Sequence, residues 1–204
     1  MCGSRIPAPQ EPTGRAPLAS ALVQPKIYTK SGDDGTTGLL YGGRARKDSR
    51  QIELNGVVDE AQAALGLARA EASAGSEVHE RLTALARDLY VLMAEVATAP
   101  ENRSKLKAGS SLVTPDMVRA LEAGIDDLLQ RFEMPSDFTI PGETRVSAAV
   151  DFARTIVRRA ERIAVVDPPV GSLVPVYLNR LSDLLWAMAR WQEGEHRLSK
   201  NQSA

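Results

Sequence analysis

The chain has 204 residues and a formal net charge of −1, so it has room for one domain or two small ones and carries no overall basic surface for nucleic acid. Cys2 is the only cysteine, which excludes an internal disulfide and favours a reducing compartment, and the two histidines lie far apart, which argues against a zinc site. Because no apolar run approaches the roughly 20 residues that span a membrane, we expect a cytoplasmic protein without a membrane partner.

The chain begins with a segment rich in proline and alanine, and we expect residues 1–25 to form a flexible tail. This segment lacks the apolar stretch that secretion signals carry. The chain ends on HRLSKNQSA, and we expect residues 198–204 to form a second flexible tail. The predicted domain therefore covers residues 26–197.

A glycine-rich loop, KSGDDGTTGLLYGG at residues 30–43, precedes the rest of the predicted domain. Its five glycines are costly to order, because glycine loses more backbone freedom on folding than any other residue. The loop matches neither of the common glycine-rich nucleotide motifs. Two interpretations stay open: a hairpin-like segment without a ligand, or a phosphate site in which backbone N–H groups contact the anion.

Five stretches with helical periodicity follow the loop, and together they predict an all-α fold, a five-helix bundle. No strand-like alternation of useful length appears. Thr114 is a suitable N-cap for the third helix because Pro115 follows it, and Pro168 ends the fourth. The predicted helices cover about residues 50–74, 77–98, 115–131, 144–166 and 173–194.

The fourth predicted helix carries three arginines, Arg154, Arg158 and Arg162, at four-residue spacing on one face. Like charges at this spacing repel by roughly 0.2–0.5 kcal/mol per pair, so the three need anionic partners. Asp151 and Glu161 can serve two of them locally. The stripe is either a solvated, salt-bridged face or an anion site, and the apolar opposite side of the helix leaves it free for the second role.

Polar side chains also mark the first and fifth predicted helices. Asn179 and Asp183 share a face of the fifth helix, although both residue types compete for backbone hydrogen bonds and are poor helix formers. Asp59 lies between apolar residues of the first helix. The plain interpretation of each is an exposed polar side chain, and a role in binding is the alternative.

Six segments, in order between residues 26 and 191, resemble the PduO-type ATP:cob(I)alamin adenosyltransferases. They read IYTKSGDDGTTGL, RKDS, GVVDE, FTIPGE, ARTIVRRAER and YLNRLSDLLW. The resemblance implies a five-helix bundle that forms a homotrimer with active sites between subunits. It implies transfer of the 5′-deoxyadenosyl group of ATP to the cobalt of reduced cobalamin, with Mg²⁺ accompanying the triphosphate. A reductase and an adenosylcobalamin-dependent enzyme are the implied partners.

The same resemblance implies which residues form the site. Phe138 matches the aromatic that lies on the lower corrin face and excludes an axial ligand, and Trp186 stands where a second aromatic is common. Asp59 and Arg154 match a pair that bridges neighbouring subunits, and these two residues with Phe138 and Arg158 are the predicted catalytic set. The implied ATP site comprises Thr29, Lys30, Ser31, Gly32, Thr37, Gly38, Lys47, Arg158, Glu161, Arg162 and Asn179.

Two departures from the family pattern change a charge. Asp34 gives GDDG where the family usually reads GDKG, and Glu143 gives PGE where it usually reads PGG. A corrinoid carrier that binds ATP without turnover is the main alternative function. Retention of the full set of matched site residues argues against a carrier, and a purely helical interaction module would leave the glycine-rich loop unexplained.

Overall fold

The computed structural model describes residues 27–200, so the predicted N-terminal tail and residues 201–204 lie outside the described part of the chain. The chain divides into two units. In the first unit, Met1–Lys30, the described residues 27–30 are exposed and form neither helix nor strand. The second unit, Ser31–Ala204, holds every helix and strand described below.

The second unit is a five-helix bundle preceded by a small hairpin, which confirms the predicted fold class. The helices are α1 (Arg50–Glu71), α2 (Glu77–Val96), α3 (Pro115–Leu128), α4 (Arg145–Ala164) and α5 (Val174–Glu193), with a 3₁₀ helix at Pro100–Lys105 between α2 and α3. The hairpin strands are β1 (Thr36–Gly38) and β2 (Arg44–Arg46). The helices end within three residues of their predicted limits. A hairpin-like segment was one of the two interpretations left open for the glycine-rich loop, although the two strands are too short to show alternation.

Threonine side chains fix the starts of α3 and α4. Thr114 accepts a hydrogen bond from the Met117 backbone N–H at 3.2 Å, as its predicted N-cap role requires. At α4, Thr144 and Ser147 form a reciprocal capping box, in which each side-chain oxygen accepts from the backbone N–H of the other residue. The capping box sets the start of the helix that carries the arginine stripe.

Helix α4 packs between α1 and α5, which makes it the central helix of the bundle. Its apolar face is fully packed, and most of its side chains there are small, so the neighbouring helices approach closely. The predicted core residues of this face are all buried: Val150, Ala153, Val157, Ala160 and Ala164. Helix α2 packs on α1, and α3 packs on α5.

A buried tyrosine joins α5 to α2. The Tyr177 hydroxyl donates a hydrogen bond to Asp88 Oδ2 at 2.9 Å, and the Tyr177 side chain is fully buried. Burial raises the pKa of Asp88 above its ordinary value, and the hydrogen bond from Tyr177 offsets part of that effect. Burial and the neighbouring carboxylate also raise the pKa of Tyr177 well above its usual range. Tyr177 is therefore a neutral donor to a carboxylate acceptor.

Tyr177→Phe should lower the free energy of unfolding by about 1.5–3 kcal/mol at neutral pH, because it removes a hydrogen bond to a charged group. The loss should shrink in acid. The pKa of Asp88 is higher in the folded chain than in the unfolded chain, where it is 3.8. Asp88 therefore contributes fully to stability below pH 3.8, and this contribution declines as pH rises through the folded pKa. Removing Tyr177 raises that folded pKa further, so the difference between variant and parent grows with pH.

Urea unfolding at pH 4 and pH 7 measures both values. Tyr90→Phe is the matched control, because Tyr90 lies on α2 and is 68% exposed. It should leave the unfolding free energy nearly unchanged at both pH values. A Tyr177→Phe loss of the same size at pH 4 and pH 7 would contradict a charged acceptor at Asp88.

Candidate functional site

An open pocket of about 590 Å³ lies between the α3–α4 loop and helices α4 and α5. Four of the predicted site residues line it: Phe138, Arg154, Arg158 and Trp186. They come from three separate parts of the sequence, and the fold brings them together. Arg190 of α5 also lines the pocket, although the sequence analysis did not single it out.

Phe138 is 82% exposed at the edge of this pocket. The Phe138 ring is therefore not part of the core, and it is available to contact a ligand or a partner. Its loop is nevertheless held in place by the backbone, because Phe138 O accepts from Ser199 N at 2.7 Å and Ile140 N donates to Arg197 O at 2.8 Å. Phe138 is therefore exposed on an anchored loop.

The C-terminal segment 197–200 adds two ion pairs to this anchoring. Lys200 Nζ lies 3.0 Å from Asp137 Oδ2, and Arg197 Nε lies 3.3 Å from Glu143 Oε1. Residues 198–200 of the predicted C-terminal tail thus contact the α3–α4 loop. Glu143, one of the two departures from the family pattern, contributes to the same attachment.

Trp186 lies beneath the pocket, half-buried among aromatic and cationic neighbours. Its ring meets Phe132 edge-on with the ring centroids 6.1 Å apart, and the Arg190 guanidinium lies 5.8 Å from the Trp186 ring centroid. These contacts fix the ring beside the arginines of α4 and give the pocket a rigid apolar wall.

The arginine stripe has one carboxylate partner in the described chain, fewer than expected. Arg154 Nε donates to Asp151 Oδ1 at 2.8 Å, as predicted. Glu161 does not serve an arginine: its Oε1 accepts from Asn179 Nδ2 at 2.8 Å, because it points towards α5. The expectation that Glu161 pairs with the stripe is therefore wrong, although Glu161 and Asn179 do meet.

Arg158 and Arg162 consequently present cations without carboxylate partners among residues 27–200. The Arg158 guanidinium makes no hydrogen bond or ion pair within that range, and Arg162 Nη1 donates only to the Arg158 carbonyl at 3.0 Å. Their neighbour Arg159 pairs with Glu60 of α1 and is neutralised. Guanidinium groups that are exposed and lack a carboxylate partner are suited to bind anions.

Asp59 does not meet Arg154 within one chain. Asp59 is exposed on α1, and no ion pair joins it to α4 in the part of the chain that the structure describes. Arg154 keeps one face of its guanidinium on Asp151 and remains partly exposed in the pocket. The predicted pairing of these two residues across a subunit boundary stays a prediction.

The glycine-rich loop folds as the β1–β2 hairpin, with Thr37 opposite Ala45 and Gly38 opposite Arg44. Gly32 is required by close packing: a Cβ there would lie 2.9 Å from Thr36 O and 3.1 Å from Lys47 Nζ. The predicted ATP residues Ser31, Gly32, Thr37, Gly38 and Lys47 are therefore gathered in one hairpin. Thr29 and Lys30 belong to the separate N-terminal unit, where both are exposed.

Asp34, the other departure from the family pattern, lies in the turn that precedes β1. Its Oδ1 accepts from the Thr36 backbone N–H at 2.9 Å and from the Thr36 hydroxyl at 2.7 Å, and Arg44 Nη2 lies 3.6 Å away. The Thr36 hydroxyl first, then its N–H, holds the pKa of Asp34 below its ordinary value. This carboxylate is occupied by the loop itself, and its charge is offset by Arg44.

The hairpin is attached to the end of α2. Leu40 N donates to Ala97 O at 2.8 Å, and Asn102 Nδ2 donates to Gly42 O at 3.2 Å. At this end of the bundle, Arg50, Thr98 and Ala164 line a second pocket of about 230 Å³. Helix α4 therefore runs from the Phe138 pocket towards the hairpin end, and the stripe from Arg154 to Arg162 covers about 12 Å of that path.

The hairpin and the arginine stripe are not bonded to each other within the described part of the chain. Within residues 27–200, no hydrogen bond or ion pair joins the hairpin to Arg158 or Arg162. The same residues contain no group of three His, Cys, Asp or Glu side chains that could hold a metal ion. None of the described helices is long and apolar enough to cross a membrane.

The sequence analysis missed Arg190, Thr139 and the pairing of segment 197–200 with the Phe138 loop. Arg190 had a visible signal, because it is an arginine on the apolar face of α5 next to Ala189. The backbone pairing had none, since hydrogen bonds between main chains leave no residue pattern in so short a segment.

Comparison with known proteins gives a consistent match. The family model for cobalamin adenosyltransferase matches residues 27–192. The corrinoid adenosyltransferase of Citrobacter freundii is 36% identical over 174 residues, which cover 82% of this chain and 95% of that protein. Corrinoid adenosyltransferase PduO of Salmonella typhimurium is 37% identical over 172 residues, and the match spans 83% of this chain but only 50% of the longer relative.

A solved structure has the same fold. A variant of the PduO-type ATP:corrinoid adenosyltransferase from Lactobacillus reuteri, complexed with cobalamin and ATP, superposes with a TM-score of 0.77 at 27% identity. The match covers 86% of this chain and 97% of that one.

Proposed function

Because the chain belongs to the cobalamin adenosyltransferase family, we propose that it transfers the 5′-deoxyadenosyl group of ATP to the cobalt of cob(I)alamin, forming adenosylcobalamin and triphosphate. The observation that carries the proposal is the pocket in which the exposed Phe138 ring lies beside Arg154 and Arg158. An exposed aromatic ring suits the flat face of a corrin macrocycle. Guanidinium groups that lack carboxylate partners suit the phosphates of ATP.

The proposed reaction is a displacement at the ribose C5′. The cobalt(I) lone pair forms the cobalt–C5′ bond, the C5′–O5′ bond breaks, and its electron pair leaves with the triphosphate, so the cobalt ends as cobalt(III). Phe138 covers the lower face of the corrin and excludes water or the tail base from the cobalt. Because its loop is anchored to residues 197–200, the ring can exclude an axial ligand without first being ordered.

The leaving group requires positive charge. Arg158 and Arg162 lie without carboxylate partners along one face of α4, and Lys47 lies over Gly32 in the hairpin. Fixed cations of this kind stabilise the charge that develops on the triphosphate. Glu161 and Asn179, hydrogen bonded to each other, would hold the nucleoside beside them.

We propose a homotrimer with each active site between two subunits. Within residues 27–200, no hydrogen bond or ion pair joins the hairpin that would contact ATP to the stripe that would hold its phosphates, so one subunit would supply the hairpin and its neighbour the stripe. Asp59 is exposed on α1, and Arg154 still has unpaired nitrogens, so the two can meet across the boundary.

Residues 27–200 contain no group of three His, Cys, Asp or Glu side chains that could hold the magnesium ion implied by the family. We propose that it arrives on the ATP phosphates, and no step is assigned to it. A cytoplasmic location, a reductase that supplies reduced cobalamin and an adenosylcobalamin-dependent enzyme that takes the product complete the proposal.

Incubation with cob(I)alamin and ATP should yield adenosylcobalamin and intact triphosphate, measured by absorbance and phosphate chromatography. Arg158→Met should lower kcat by about 10²–10³, because it removes a donor that acts on developing charge. Arg159→Met is the matched control, since Arg159 is adjacent but pairs with Glu60. Binding of both substrates without product would indicate the carrier alternative, and pyrophosphate plus phosphate as first products would contradict the mechanism.

Phe138→Ala should impair the reaction of cob(II)alamin with a reductase far more than that of pre-reduced cob(I)alamin. An axial ligand hinders reduction of cobalt(II), and only the first assay requires its removal. Ile140→Ala is the control, because Ile140 lies in the same loop but does not line the pocket. Equal loss with both substrates would contradict the role of Phe138.

Asp59→Ala or Arg154→Ala alone should destabilise the trimer by about 1.5–3 kcal/mol, because each removes the proposed charged contact between subunits while Asp151 still compensates Arg154 in the first variant. The double variant should be less affected than the sum of the two. Concentration-dependent unfolding measures the coupling. The Glu60–Arg159 pair, which forms within one chain, is the control and should contribute about 0–1 kcal/mol without changing assembly. A coupling near zero between Asp59 and Arg154 would remove the interface proposal.

A further inference from the structure

We propose that Arg190 is a positioning residue that fixes the Phe138 loop and Arg154 relative to each other. The inference rests on the proposed function for its consequences in catalysis, but its structural part stands apart from that function. Arg190 itself is buried beneath the pocket, with 2% of its side chain exposed, so it acts through its neighbours.

The burial of Arg190 is compensated by two carboxylates. Its Nη2 donates to Asp151 Oδ2 and, at 2.8 Å, to Glu193 Oε1. The Asp151 side chain is 4% exposed and that of Glu193 is fully buried. Arg190 Nε lies 2.8 Å from Glu193 Oε2 without making a hydrogen bond. The two carboxylates and the Nη2 hydrogen bonds therefore compensate the buried charge and hold the three side chains in one arrangement.

The third contact of Arg190 reaches the Phe138 loop. Arg190 Nη1 donates to Thr139 Oγ1, and Thr139 follows Phe138 directly in the chain. The side chain therefore ties α5 to the loop that carries the exposed ring. The backbone pairing with residues 197–200 holds the same loop from its other side.

Asp151 extends the connection to α4. Its Oδ1 accepts from Arg154 Nε at 2.8 Å, while its Oδ2 accepts from Arg190. One continuous path thus runs from Thr139 through Arg190 and Asp151 to Arg154. It links the loop that carries the ring to the Arg154 guanidinium through charge-assisted hydrogen bonds, of which the one between Arg190 and Asp151 is buried.

A lysine cannot reproduce this arrangement. The planar guanidinium presents separate N–H groups to the loop and to α4 at the same time, whereas an ammonium is a single point of charge. Arg190→Lys keeps the positive charge opposite Asp151 and should lose the contact with Thr139. The substitution therefore separates charge compensation from positioning.

Hydrogen exchange gives the test that does not depend on activity. In Arg190→Lys, the Ile140 and Ser199 amides, which pair the loop with the C-terminal segment, should exchange at least tenfold faster, while amides in the middle of α4 keep their protection. Lys200→Met is the matched control, since it removes an exposed ion pair to the same loop and should leave these amides unchanged. Unchanged exchange in Arg190→Lys would overturn the proposal.

The catalytic consequence is measured with the two corrinoid substrates. Arg190→Lys should lower kcat with cob(II)alamin and a reductase at least tenfold more than kcat with cob(I)alamin, and adding Phe138→Ala should cause little further loss. Equal loss with both substrates would mean that Arg190 supports the fold and nothing more.

If Arg190→Lys does not fold, a second variant tests the same contact. Thr139→Val removes only the acceptor on the loop, leaves the Asp151–Arg190 pair in place, and should give the same exchange and the same substrate asymmetry. If the unaltered protein forms no adenosylcobalamin, the proposed function fails, and the exchange of Ile140 and Ser199 still decides the positioning role.

Discussion

The packing of α4 between α1 and α5 determines where the charged groups of the site point. Its valine and alanine face is closed on both sides, so a rotation of the helix would expose apolar surface and bury guanidinium groups. The arginines at positions 154, 158 and 162 are therefore directed outwards by the core itself. The capping box at Thr144 and Ser147 sets the first turn of that helix beside the Phe138 loop.

The carboxylates around the site are mostly engaged inside the chain. Glu161 is bound by Asn179, Asp34 by Thr36, and Asp151 by two arginines. This leaves the outer part of the stripe positive in a protein whose net charge is close to zero. An anion site can therefore form where the neighbouring carboxylates are bound to other groups, even though the chain has no excess of basic residues. The same distribution explains why Asp34 is compatible with the glycine-rich hairpin, because its charge is already neutralised by the hairpin itself.

The helices and the face of α4 were predictable because both depend on local periodicity, which the core preserves. Thr114 and the apolar residues of α4 took the predicted places for that reason. The hairpin remained only one of two interpretations of the glycine-rich loop, because three-residue strands have no measurable alternation. Glu161 was assigned to an arginine from spacing along one helix, but its actual partner lies on another helix, and single-helix spacing contains no information about it. Phe138 and Trp186 likewise come together through contacts between residues that are distant in sequence. Only the family resemblance predicted that the two share a site.

The pairing between the Phe138 loop and segment 197–200 has a consequence for the order in which the molecule is made. The loop precedes both α4 and α5, whereas its backbone partners are among the last residues of the described chain. During synthesis the bundle can begin to form from its N-terminal helices, but the loop lacks its backbone partners until the ribosome has added Arg197 and Ser199, after the Arg190 side chain that contacts Thr139. The backbone anchoring of the Phe138 loop is therefore completed only after most of the core residues have been synthesised.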